Sequence, residues 1–208
     1  MASLIERLSA LVSAIKADVN ALAARPAGPH AMEPGLAAGA YFSAAVVGLA
    51  PSTQATAANR IELFPIRPGR NVSVDQLSIE VAGTLVAGSQ ARVGIYSAHP
   101  DTGLPHQLLS GPGDLLDCAT AGFKTSAISP ALALQAGTLY WLAVHGSSTQ
   151  TFRSLAVGAL LPLPQTQTGT THNTQRRGTA TFATGLPTTA PAATPVSAAV
   201  PFLKLRVA

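Results

Sequence analysis

A chain of 208 residues carries one domain of ordinary size with room for an extension. Only 11% of it is charged, and the thirteen basic residues behind its net charge of +4 are scattered, with Arg176 and Arg177 the only adjacent pair. Phosphate binding needs clustered cations, so nucleic acid is not an expected partner. A single cysteine, Cys118, excludes an intrachain disulfide and a cysteine-based zinc site and reads as core filler.

Residues 4 to 22 repeat an apolar stripe in a three-four spacing: Ile5, Leu8, Val12, Ile15, Val19 and Leu22. This is the period of a helix that buries one face against other helices. Ser3 followed by Glu6 matches a capping box and starts the helix near Ser3. No Gly or Pro interrupts the chain up to Arg25, whereas Pro26, Gly28 and Pro29 forbid continuation. Residues 1–25 are therefore predicted as an N-terminal oligomerisation helix.

With Ile5, Val12 and Val19 at heptad position a and Leu8, Ile15 and Leu22 at d, the seam has no polar break. Burying six such side chains supplies on the order of 10 kcal/mol per chain before entropy is subtracted. A lone helix of this length is marginal in water, so the seam predicts a partner. Leu4 and Leu11 at g widen the face and Ile15 at d disfavours a simple dimer, which makes a parallel homotrimer the expected assembly. The g and e pairs (Asp18 with Ala23, Leu11 with Lys16) carry no complementary charges, so strand number and direction are weakly specified. The alternative is a helix folded back on its own β-domain. A membrane-surface helix fits less well, because Glu6, Arg7, Lys16 and Asp18 are mixed in sign and aromatic anchors are missing.

Residues 26–39 turn to Pro, Gly and Ala and read as a linker. The longest apolar run, Ala37 to Ala50, contains Gly39, Ser43 and Gly48 and is too short for a bilayer span, so no membrane insertion is expected. The N-terminus lacks a basic region followed by an apolar one, which predicts synthesis in the cytoplasm without a cleaved signal.

Residues 40–208 are predicted as a β-sandwich domain. Leu77, Ile79 and Val81 alternate with Gln76, Ser78 and Glu80; Val93 and Ile95 alternate with Arg92, Gly94 and Tyr96; Leu203, Leu205 and Val207 alternate with Lys204 and Arg206. Further strands are expected at Tyr41–Val47, Arg60–Ile66, Leu139–His145, Ser154–Leu160 and Thr179–Ala183. Two stretches poor in large apolar residues, Leu163–Gly178 and Gly185–Pro201, read as long loops on the surface, against the connector or on a neighbouring subunit. About eight short strands without a second helical pattern predict a mainly β fold, an antiparallel sandwich of jelly-roll type preceded by a coiled-coil helix.

The segments RVGIYSAHPDTGLPHQLLS (92–110), AGFKTSAIS (121–129) and LQAGTLYWLAVHG (134–146) lie within a stretch that spans about a quarter of the chain. Together they resemble the β-sandwich modules of bacteriophage virion fibre and spike proteins, of head-fibre or tail-fibre type. In those modules a strand ending in Ile/Leu-Tyr precedes a Gly-Pro loop, and a later strand carries Gly-Thr-x-Tyr-Trp-Leu-Ala. The resemblance implies a virion location, attachment to other virion proteins through the N-terminus, and a β-module presented outward. The chain departs from many fibres in having one such module and no long repeated shaft. The matching residues are structural: Gly103 and Pro105 shape a turn, and Gly137 precedes the strand bearing Tyr140 and Trp141.

Chemistry is sparse. His99, Asp101 and His106 share one loop and have metal-ligand chemistry, although Pro100, Gly103 and Pro105 make a turn the simpler account. Asp114 and Asp117 have the pairing of a sugar hydrolase but read better as a solvated loop end. There is no Gly-x-Ser-x-Gly elbow, no phosphate-cradling loop and no dinucleotide fingerprint. No catalytic, cofactor-binding or metal residue is assigned, no cofactor is expected, and the chain is read as a non-enzyme. Of Tyr140 and Trp141, one ring must face away from the main core, and Trp141 is expected to pack.

The expected function is a structural component of a phage particle, a homotrimeric short fibre or spike that contributes to host-surface attachment. The alternatives are a carbohydrate-binding adhesin with a host-surface glycan as partner, and a glycan-active hydrolase, which needs an acid/base pair the sequence does not place.

Overall fold

A computed structural model of the protein describes residues 4–23, 37–43, 51–156 and 173–208. Helix α1 spans Leu4–Ala23, as the heptad stripe predicts, while Ser3 and the expected end at Arg25 lie outside the described residues. Side chains of the helix are described from residue 7 to residue 16. Within that stretch Leu8, Leu11, Val12 and Ile15 are 60%, 56%, 57% and 52% exposed. Among the described residues nothing covers these four side chains.

Among the described residues, fourteen strands, numbered in chain order, make a mainly β protein of two antiparallel sheets, one curled into a half-barrel. The first sheet holds β1 (Tyr41–Ser43), β2 (Pro51–Ala55), β4 (Val72–Val81), β8 (Gly122–Leu134), β10 (Thr151–Leu155), β13 (Val200–Pro201) and β14 (Lys204–Val207). Its long ladder runs β4 against β8, from Val72↔Leu134 to Val81↔Gly122, with a register shift between Val74 and Gln76. On the other side of β4 lies the C-terminal strand, Leu205 opposite Leu77. The second sheet runs β12 (Ala193–Val196), β11 (Gln175–Thr179), β3 (Arg60–Ile66), β9 (Tyr140–Gly146), β5 (Gln90–Ala98) and β6 (Pro105–Leu108), with β7 (Leu116–Asp117) also on β5.

Side-chain alternation joins the sheets. Leu77, Ile79, Val81, Phe152 and Leu205 of the first and Phe64, Val93, Ile95, Leu142 and Val144 of the second fall in one apolar cluster, together with Cys118. The opposite face of the second sheet makes a second cluster of Ile61, Leu63, Tyr96, Trp141, Ala143 and Leu186. Strand β9 is therefore buried along its whole length, which accounts for its nearly continuous apolar sequence. Tyr140 belongs to the first cluster and Trp141 to the second, so the two rings point to opposite faces, each packed.

The cover over the second cluster corrects three expectations. Gly185–Pro201 is not a plain surface loop: Leu186 is 4% exposed, β12 pairs with β11, and β13 pairs with β10. The stretch Leu163–Gly178 closes in strand β11, and of the strand expected at Thr179–Ala183 only Thr179, the last residue of β11, is in one, a 3-10 turn following at Phe182–Thr184. Alanines 180, 190 and 193 pack against Trp141 and its neighbours. Small side chains lay the backbone close to the sheet, where these three alanines are partly buried against the cluster.

Candidate functional site

Three connections meet at one end of the second sheet: 67–71 between β3 and β4, 99–104 between β5 and β6, and 135–139 between β8 and β9. They enclose a cleft of about 300 Å³. Arg67, Ser97, His99 and Thr138 supply its polar groups, and Ala98, Pro100 and Leu139 its apolar surface.

The walls are held by backbone bonds. The His99 amide donates to the Leu104 carbonyl at 2.7 Å and the Gly103 amide to the His99 carbonyl at 2.8 Å. The Trp141 indole N–H donates to the Gly103 carbonyl at 2.9 Å, tying the loop to the second cluster. Opposite, the Gly137 amide donates to the Pro68 carbonyl at 2.8 Å, and Arg67 Nη1 donates to the Gly137 carbonyl at 3.1 Å. The Asn71 side chain accepts from the Ala136 amide at 2.8 Å. Gly103 and Gly137 take positive φ, +67° and +71°, which lets each loop reverse tightly.

His99 and His106 lie edge to face with ring centroids 5.0 Å apart, and the Asp101 amide donates to His99 Nδ1 at 3.3 Å. Among the described residues no group of three metal-ligating side chains assembles, so His99, Asp101 and His106 share a turn without forming a ligand set. Asp114 accepts from the Ala127 amide and Asp117 from the Ala119 amide, each at 2.9 Å. Both carboxylates thus serve backbone ties. Cys118 is fully buried, and burial, with Asp117 beside it, pushes its thiol up to about 12. Of the predicted oligomerisation residues, Leu8, Val12 and Ile15 lie exposed on α1, and the side chains of Ile5, Val19 and Leu22 lie outside the description.

Two buried polar groups escaped the sequence reading. Glu62 is fully buried, with Arg60 Nη2 at 3.0 Å and Arg177 Nη2 at 3.4 Å from its Oε1. Burial raises its carboxyl above the ordinary range, against the pull of the two guanidinium groups. His145, also fully buried, has Nε2 3.1 Å from the Ala180 carbonyl and its ring edge-on to Phe182 at 5.1 Å. Burial lowers its pKa below the usual histidine value, and Arg92 acts in the same direction. A neutral ring donating from Nε2 satisfies the carbonyl. His145 thereby pins the 3-10 turn that begins the cover over the second cluster.

No known protein-family model matches the chain, and no curated protein is similar to it. Among the described residues no helix is long and apolar enough to cross a membrane.

Proposed function

We propose that this chain is a structural component of a bacteriophage particle, a homotrimeric short fibre or spike built from a coiled-coil helix and a jelly-roll-like β-sandwich. The observation that carries the reading is the ridge on α1, where Leu8, Leu11, Val12 and Ile15 are each more than half exposed in the single chain. Four large aliphatic side chains on one side of a helix are costly to leave in water, and three copies packed a to a and d to d, with Leu11 at g flanking the seam, remove them from it. The two sheets of the β-domain share a core of their own, and in this reading the helix supplies assembly while the domain faces outward. Residues 92–146 supply the virion context through their resemblance to fibre modules. Asp114 and Asp117, each engaged by a backbone amide, favour a non-catalytic role.

A second reading, an adhesin that binds a host-surface carbohydrate, draws on the end cleft. Electron imaging of the native particle tests the first. The expected image has a three-fold axis through residues 4 to 22 with β-domains around or beyond it, and particles lacking the protein, or holding it as separate single chains, refute it.

A further inference from the structure

We infer that the end cleft takes an acidic sugar ring, a pyranose bearing a carboxylate. The proposal rests on the second, carbohydrate-binding reading of this cleft and names its ligand class, and it is independent of the assembly role and of the number of chains, because every group it uses belongs to one β-domain. The Arg67 guanidinium is exposed at the cleft and oriented through one nitrogen by the Gly137 carbonyl. Its remaining N–H groups have no carboxylate partner among the described residues, and no acidic side chain lines the cleft. A guanidinium held in place and left without an anion is the group that recognises a carboxylate in a fixed orientation.

The rest of the lining matches a ring. Pro100 and Leu139 offer an apolar surface for the C–H face of a pyranose, while the Ser97 and Thr138 hydroxyls and the His99 imidazole offer donors and acceptors for ring hydroxyls. Because its Nδ1 already accepts from the Asp101 amide, His99 has Nε2 left for a ligand. The cleft is preformed, since the Gly103 and Gly137 turns are fixed by the Trp141 indole and the Pro68 carbonyl, so binding orders little backbone. At about 300 Å³ the space suits one ring and not an extended chain.

The test titrates the full chain with glucuronate and N-acetylneuraminate, and with glucose and acetate as controls, following the indole N–H resonance of Trp141 and the amide resonances of Gly103 and Gly137. The expected result is a saturable shift with at least one acidic sugar, an affinity at least tenfold weaker for glucose and for acetate, and a loss of at least tenfold in Arg67→Gln. Arg67→Gln alone should leave the indole resonance where it is in the unligated protein, which shows that the fold is kept. The proposal is overturned if neither acidic sugar shifts these resonances, if glucose or acetate binds equally well, or if Arg67→Gln binds as the parent does.

Discussion

Gly111 and Gly113 flank Pro112 in the connection between β6 and β7, and both adopt the left-handed region, with φ of +75° and +72°. An alanine at either position bears the cost of that conformation, about 1–2 kcal/mol. Their surroundings differ: a Cβ on Gly111 meets open space, whereas one on Gly113 stands 2.6 Å from the Val93 carbonyl oxygen. Ordinary C···O contacts begin at about 3.3 Å, so something must yield. Val93 cannot move easily, because it sits in the middle of β5 opposite Val144, and the Gly113 carbonyl is itself held by Arg92 Nη1 at 2.7 Å. Overpacking of this kind adds about 1–3 kcal/mol, which brings Gly113→Ala to about 2–5 kcal/mol. At about 2–4 °C per kcal/mol for a domain of this size, Gly111→Ala lowers Tm by about 2–8 °C and Gly113→Ala by about 4–20 °C. Thermal and urea unfolding followed by circular dichroism read both, with unchanged m-values. Equal midpoints for the two variants, or a milder effect at 113, refute the reasoning.

His145 makes stability depend on pH with a definite sign. Its folded pKa lies below 6.5, so its contribution is complete above the unfolded value. As pH falls, the unfolded chain takes a proton that the native state refuses, and stability declines by up to about 1.4 kcal/mol per pH unit. His145→Gln should flatten that part of the profile in urea midpoints taken between about pH 7 and pH 5, and an unchanged slope counts against the assignment. Trp141→Phe keeps an aromatic ring in the cluster but removes the indole N–H that the Gly103 carbonyl accepts, together with part of the buried ring, so a loss of at least about 1–3 kcal/mol is expected in urea unfolding; a neutral effect means the indole bond contributes nothing. The Cys118 thiol, fully buried and pushed up to about 12, should resist a chromogenic thiol reagent in the native protein at neutral pH and react once unfolded. Equal rates in both states contradict its burial.

What the sequence shows and hides follows from where the signal is carried. Arg60–Ile66 has the predicted bounds, and Leu139–His145 is displaced by one residue, because Val, Ile, Leu and aromatic side chains mark strands locally. Strand β11, with the sequence QRRGT, has no such mark, and its place comes from the ladder to β3, where Arg177 stands opposite Glu62. The cover around Leu186 is equally silent, since alanine, threonine and proline read as loop until a sheet face lies beneath them. At the cleft, the 99–106 turn and Trp141 were legible, yet Arg67 and Thr138 belong to connections far apart in sequence and meet through the β3–β9 and β5–β9 pairings. Glu62, in an otherwise apolar strand, had a visible oddity but no visible partner.

The ridge on α1 needs a direct trial. Sedimentation equilibrium of the full chain at micromolar concentration should give three times the chain mass of 21.1 kDa. A Val12→Asp, Ile15→Asp double variant should sediment as a single chain while keeping the far-ultraviolet signal of its β-domain. A parent protein that sediments as a monomer contradicts the account.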